Sequence, residues 1–147
     1  MKNSFRSFIS IICATVMVFS ISCSSPDKKE GSDNANAPVV LEPLEFQSKL
    51  AETQEAVLVD VRTPEEVAEG AIEGAVNIDF QDPGFAQGID TLDRDKTYFV
   101  YCLSGKRSGD AVADMHDAGF QKIYTLKDGF RNWKDQGLGT TNPAVEE

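Results

Sequence analysis

The chain has 147 residues, 41% of them hydrophobic, and sets 14 Lys and Arg against 24 Asp and Glu for a formal net charge of −10. That length supports one domain with a real core and not two ordinary ones. The acidity argues against nucleic acid as a partner, because phosphate binding depends on a basic surface, and it otherwise suits a well solvated exterior.

The chain opens with a short cationic segment, Met1 to Arg6, followed by fourteen residues, Phe8 to Ile21, that are apolar apart from a few Ser and Thr. Such a run is too short to span a bilayer as a mature helix but suits the apolar core of a secretory signal. The following Ser20-Ile21-Ser22-Cys23 resembles the lipobox of bacterial lipoproteins, in which the cysteine is acylated and becomes the new N-terminus. Ser20 departs from the usual aliphatic residue, so an ordinary cleaved signal is the alternative. Residues 1–22 are thus expected to be a signal peptide, removed together with Cys13, and Cys23 the lipidation site. Their loss removes Lys2 and Arg6 and no acid, leaving 12 basic and 24 acidic side chains and a formal charge of −12. The next stretch, through Pro38, has no large apolar residue and reads as a flexible tether over 23–38, long enough to hold a domain a few nanometres from a membrane. These features predict an exported, lipid-anchored protein of the bacterial cell envelope, facing the periplasm.

The folded region is predicted over 39–136. Phe46 and Leu50, with Leu44 and Ala51 near the same side, predict a short amphipathic helix over 43–51. Ala56 to Arg62 is a nearly continuous apolar run, as in a parallel strand covered on both faces. Thr63-Pro64-Glu65-Glu66 supplies an N-cap, a proline at N1 and a glutamate at N3, a capping box that opens a second helix through about Glu69. Gly70 to Ala75 reads as a turn into a short strand, 76–78. Pro83, Gly84 and Gly88 favour a loop over 82–92 with at most a helical turn. Lys96 to Tyr101 is the next strand, and Ala111, Met115 and Ala118 mark the helix after it, closed by Gly119. A strand at 122–126 and a last helix from Gly129 follow, with Phe130 and Trp133 as core anchors, and a polar tail begins at 137. Strands alternating with helices predict an α/β domain with a mainly parallel sheet flanked by helices on both faces.

Chemistry concentrates at Cys102-Leu103-Ser104-Gly105-Lys106-Arg107-Ser108. A thiol between a strand and a helix start faces backbone N–H groups and the positive end of a helix dipole, both of which favour thiolate over thiol. Ligands in parallel sheets bind beyond the carboxyl ends of strands, where Cys102 falls. With Cys23 lipidated, Cys102 is the sole remaining cysteine and no intramolecular disulfide can form. A lone thiol sent to an oxidising compartment points to chemistry or to burial. His116 is expected on the helix surface, far from the loop, and a single histidine with a single cysteine gives no support for a metal site or other cofactor.

These motifs resemble, in order, those of the single-domain rhodanese-like family. Leu58-Val59-Asp60-Val61-Arg62 with Glu65-Glu66 is similar to its N-terminal signature. Gly70-Ala71-Ile72-Glu73-Gly74-Ala75-Val76-Asn77-Ile78 is similar to its glycine-histidine-isoleucine segment, Cys102 to Ser108 to its active-site loop, and Gly119-Phe120 through Trp133 to its C-terminal signature. Ala71 stands where histidine is usual and Asp128 where a second glycine is common, departures that imply altered packing or substrate preference. The resemblance implies sulfur transfer: Cys102 takes the sulfane sulfur of a small donor such as thiosulfate or polysulfide as a persulfide and passes it to a thiol or cyanide acceptor. Backbone N–H groups from Leu103 to Ser108 would cradle the anion, with Gly105 letting the loop close. Arg107 is expected to contact an anionic donor, an ion pair with a nearby acid being the alternative, and Lys106 adds charge. Asp60 and Arg62 are expected to brace the loop. Cysteine phosphatases and arsenate reductases share a related architecture but follow C-x5-R, whereas four residues separate Cys102 from Arg107. A binding or redox-sensing module without turnover is the other class of reading.

Overall fold

The computed structural model describes residues 38–141. The expected signal, Cys23 and the tether up to residue 37 lie outside the described residues, as does the tail from 142. The elements are β1 (Val39–Leu41), α1 (Pro43–Glu52), β2 (Ala56–Asp60), α2 (Pro64–Ala68), β3 (Val76–Asn77), α3 (Phe85–Asp90), β4 (Thr97–Tyr101), α4 (Lys106–Asp117), β5 (Ile123–Leu126) and α5 (Gly129–Asp135). No helix among the described residues is long and apolar enough to cross a membrane.

The five strands form one sheet in the order β1-β5-β4-β2-β3, and every pairing is parallel. Side chains of a strand alternate between faces, and β4 shows what this does. Tyr98, Val100 and Cys102 face one core with Phe85 and Ile89 of α3 and Ala111, Val112 and Met115 of α4. Phe99 and Tyr101 face the other, with Phe46 of α1 and Phe130 and Trp133 of α5. Helices therefore cover both faces, and the predicted α/β architecture is the one found. The second core is knitted by edge-to-face aromatic contacts, with Phe46 centred 5.2 Å from Phe99 and 6.3 Å from Trp133. Each such pair adds about 0.5–1.5 kcal/mol to simple burial.

Connectivity sets the place of the site. From β2 the chain moves outward to β3, then returns to the other side of β2 for β4, so strand order reverses between β2 and β4. A parallel sheet opens a crevice at such a reversal, beyond the strands' carboxyl ends. Asp60 and Tyr101, the last residues of β2 and β4, are in register there, and Val61 N–H donates to the Tyr101 carbonyl at 2.9 Å.

The structure departs from expectation at three places. Val39–Leu41 is a strand, paired to β5 at the sheet edge with Val39 and Val40 exposed. Within the segment expected to be mainly loop, Phe85–Asp90 is a helix, closed by buried Phe85 and Ile89. The first residues beyond 136 are not simply a polar tail. Leu138 packs on the second core, Trp133 Nε1 donates to the Gly139 carbonyl at 2.9 Å, and Thr141 N–H donates to the Ala71 carbonyl at 2.8 Å.

Candidate active site

Cys102 follows the last residue of β4, and the chain turns sharply after it into α4. Gly105 makes the turn with φ of +86°, a left-handed conformation open to glycine. It brings the Gly105 N–H to 3.2 Å from Cys102 Sγ as a donor. No side chain caps α4, so its first N–H groups, which have no partner within the helix, remain open toward the loop. Ser108 is buried inside the first turn and donates Oγ–H to the Gly105 carbonyl at 3.1 Å. It thus both begins the helix and ties the loop. Leu103 is half-buried, and Ser104 and Lys106 are exposed. Cys102 itself is 0% exposed.

The far side of the loop is held by α5. Phe130 N–H donates to the Cys102 carbonyl at 2.8 Å and Arg131 N–H to the Leu103 carbonyl at 3.1 Å. Such close approach requires Gly129: a Cβ there would lie 2.7 Å from both the Leu103 carbonyl carbon and the Ser104 nitrogen, and nearer still to the Cys102 oxygen. Asp128, just before it, has φ of +56°. That conformation explains why a second glycine suits the position and why aspartate, among the residues that tolerate it best, can replace one.

Arg107 does not reach free into solvent. Its Nη1 and Nη2 donate to the two carboxylate oxygens of Glu66 at 2.6 and 2.7 Å, so the ion-pair alternative is the arrangement found. Glu66 also closes the capping box of α2, accepting from Thr63 N–H at 3.2 Å while its own N–H donates to Thr63 Oγ1 at 3.4 Å. The hydrogen bonds from Arg107 hold the Glu66 carboxyl below its ordinary range, against burial. The same contact raises Arg107, on which the charges of Cys102 and Asp79 also act. Lys106 is 84% exposed at its side chain and pairs with Asp110 at 3.2 Å. Screening leaves little net attraction in such a pair.

Asp60 and Arg62 are each 1% exposed. Arg62 Nη2 donates to Asp60 Oδ2 at 2.6 Å and to the Gly70 carbonyl at 2.8 Å, and Nη1 to the Glu66 carbonyl at 3.0 Å. Burial works against the guanidinium charge, but the bonds and charge of Asp60 outweigh it and raise Arg62. The guanidinium lies 4.1 Å from the Phe130 ring centroid, so it supports the residue whose amide holds Cys102 and does not touch the loop. Asn77 Nδ2 donates to the carbonyls of Asp60 and Arg62 at 2.9 and 2.8 Å. Burial, then the charge of Asp60, keeps the Tyr101 phenol neutral far above ordinary pH, while its oxygen accepts from Ile72 N–H at 3.1 Å.

Ala71, at the departure from histidine, is occupied by the C-terminal segment: its N–H donates to Thr141 Oγ1 at 2.9 Å. His116 is a correction. It is half-buried where an exposed residue is expected: Nδ1 sits 2.8 Å from the Phe120 carbonyl, and Nε2 is buried without a partner. Ten residues beyond the start of α4, it is about 15 Å along the helix from the loop and forms no dyad with Cys102. A hollow of about 230 Å³ is lined by Pro64, Asn77, Asp79, Asp82 and Phe85. A larger one of about 350 Å³ lies between α1, Ile72, Trp133 and Thr140, and no loop residue lines it.

The sheet, the strand-end cysteine and the loop between β4 and α4 define a class. Residues 42–136 match the model of the rhodanese-like domain, and the chain belongs to that family. A sulfurtransferase of Allochromatium vinosum is 32% identical over 98 residues, 67% of this chain and 90% of the relative. The thiosulfate sulfurtransferase GlpE of Pseudomonas entomophila is 35% identical over 86 residues, 58% of this chain and 77% of the relative. Among solved structures, a rhodanese-like domain protein of Staphylococcus aureus superposes with a TM-score of 0.60 at 28% identity, covering 69% of this chain and 96% of that one. A rhodanese-related protein of Thermoplasma volcanium gives 0.62 at 25% identity, covering 70% and 97%.

Proposed function

We propose that the chain is a sulfurtransferase in which Cys102 carries the sulfur. The thiolate form of Cys102 attacks the outer, sulfane sulfur of a donor. With thiosulfate a Cys102 S–S bond forms, the S–S bond of the donor breaks, and sulfite leaves with the electron pair. An acceptor thiolate or cyanide then takes the outer sulfur and Cys102 Sγ leaves as thiolate. The observation that supports this most directly is Sγ at 3.2 Å from the Gly105 N–H, beside the uncapped start of α4. The Gly105 N–H, beside the positive end of the helix dipole, would stabilise the anionic persulfide sulfur. The four-residue spacing to Arg107 and that arginine's engagement with Glu66 both count against phosphoester chemistry.

Intact-mass measurement after incubation with thiosulfate or polysulfide is expected to show one added sulfur that cyanide removes, and Cys102→Ser is expected to show none. The complete burial of Cys102 is the observation that favours a non-turnover binding or redox-sensing module instead. Failure of every donor to add sulfur to the wild type would overturn sulfur transfer and leave that second reading in its place.

The envelope location is also proposed, on the apolar run before Cys23 and the polar stretch after it. In this reading the domain is held at the membrane by a lipid on Cys23 and works outside the cytoplasm. Cys23→Ser is expected to move the protein from the membrane to the soluble fraction, and unchanged membrane association would overturn the anchor.

A further inference from the structure

The two basic residues of the Cys102 loop, Lys106 and Arg107, each lie against an acid. Arg107 is bound by both oxygens of Glu66. Lys106 lies beside Asp110 in an exposed pair, and the hollow beside α2 carries Asp79 and Asp82. Glu66 is fixed from two directions, by Arg107 and by the Thr63 N–H, with its side chain only 26% exposed. An incoming dianion therefore meets a guanidinium whose charge is already neutralised, in a chain of net charge −10.

We propose that Glu66 is a specificity-determining residue: by occupying Arg107 it sets the site against dianionic sulfur donors and in favour of donors with at most one negative charge, such as an alkyl persulfide. The proposal rests on the sulfur-transfer reading. Attack of the Cys102 thiolate on thiosulfate gathers three negative charges, one from the thiolate and two from the donor, before sulfite departs. Attack on an alkyl persulfide, RSSH, gathers one. The new S–S bond forms to the outer sulfur, which keeps its proton, and RS⁻ leaves with the electron pair. The first reaction gains more from a free cation at the loop, and engaging Arg107 would require breaking a bidentate, charge-assisted pair.

Glu66→Gln is the informative variant, because glutamine still closes a capping box with Thr63 and can still accept one bond from Arg107. Two measurements are made on wild type and variant: thiosulfate affinity in a Cys102→Ser background, from amide shifts of residues 103–108, and kcat/KM for sulfur uptake from thiosulfate and from cysteamine persulfide. Glu66→Gln is expected to bind thiosulfate about tenfold more tightly, equivalent to about 1.4 kcal/mol, and to raise thiosulfate kcat/KM by a similar factor. Uptake from cysteamine persulfide should change by less than about threefold, since the electrostatic difference between donors is what Glu66 controls. Adding Arg107→Gln should abolish the gain. Unchanged or weaker thiosulfate binding, an equal gain with both donors, or a gain that survives loss of Arg107 overturns the proposal. If no donor loads Cys102 in either protein, the sulfur-transfer reading fails by itself, and the binding comparison still decides whether Glu66 competes for Arg107.

Discussion

Helices α2 and α4 are tied to each other through Glu66 and Arg107, yet their first turns are built in opposite ways. At α2 the first turn is capped by its own side chains: Thr63 and Glu66 exchange capping bonds, and Pro64 occupies a position that needs no donor. At α4 the cap is Gly105, with no side chain to offer, and the one polar group aimed back at the thiol is its N–H. A helix start closed by its own side chains has nothing left for a ligand. One left open stays available, but something else must then hold the loop in place. Here that support comes from the α5 amides on the Cys102 and Leu103 carbonyls, and from Arg62 packed against Phe130.

If the open end depends on that remote support, removing it should damage α4's loop while α2 is untouched. Gly129→Ala is the strongest way to do so, because its methyl would enter the space of the loop backbone at a φ of +65°. Crowding and left-handed strain together predict a loss of about 3 kcal/mol, measured by denaturant unfolding. Amide shifts should be largest at 102–105, and persulfide loading should fall with them. A loss under about 0.5 kcal/mol, the level of an ordinary surface change, would mean that the loop holds its shape without α5.

Much of this contrast is visible in the sequence, and the reason is range. The capping box at Thr63 to Glu66 and the strand before Cys102 are written within a few residues, so spacing alone reveals them. What escapes is set by partners far along the chain. Glu66 and Arg107 are 41 residues apart and Ala71 and Thr141 are 70 apart, so no local pattern announces either pairing. Strand β1 has three residues, two of them exposed, and exists because Val39 to Leu41 find β5. His116 carries a polar side chain within a helical pattern, which reads as surface. Its burial comes from the chain folding back at Phe120. The resemblance to a family suggests the chemistry proposed for Cys102, whereas the pairing of Arg107 is set by a residue 41 positions away.

A gentler test separates the two contacts on Glu66. Thr63→Ala deletes the side-chain half of the cap and should cost about 1 kcal/mol at neutral pH. It leaves the Thr63 N–H and Arg107 on the carboxylate. Glu66 has a folded pKa below its ordinary 4.5, with Arg107 the largest cause. Its contribution to stability is therefore fully present above about pH 4.5, declines as pH falls below that value, and is gone once pH passes the lower folded one. Unfolding free energy measured from pH 7 to pH 3 should show that acid decline in wild type and, displaced downward but with similar slope, in Thr63→Ala. Glu66→Gln should lack this component, having no carboxyl to protonate at that position. Should Thr63→Ala flatten the acid limb as Glu66→Gln does, the cap and not Arg107 would be what holds the carboxylate charged. The closed end of α2 would then control the open end of α4 through Thr63.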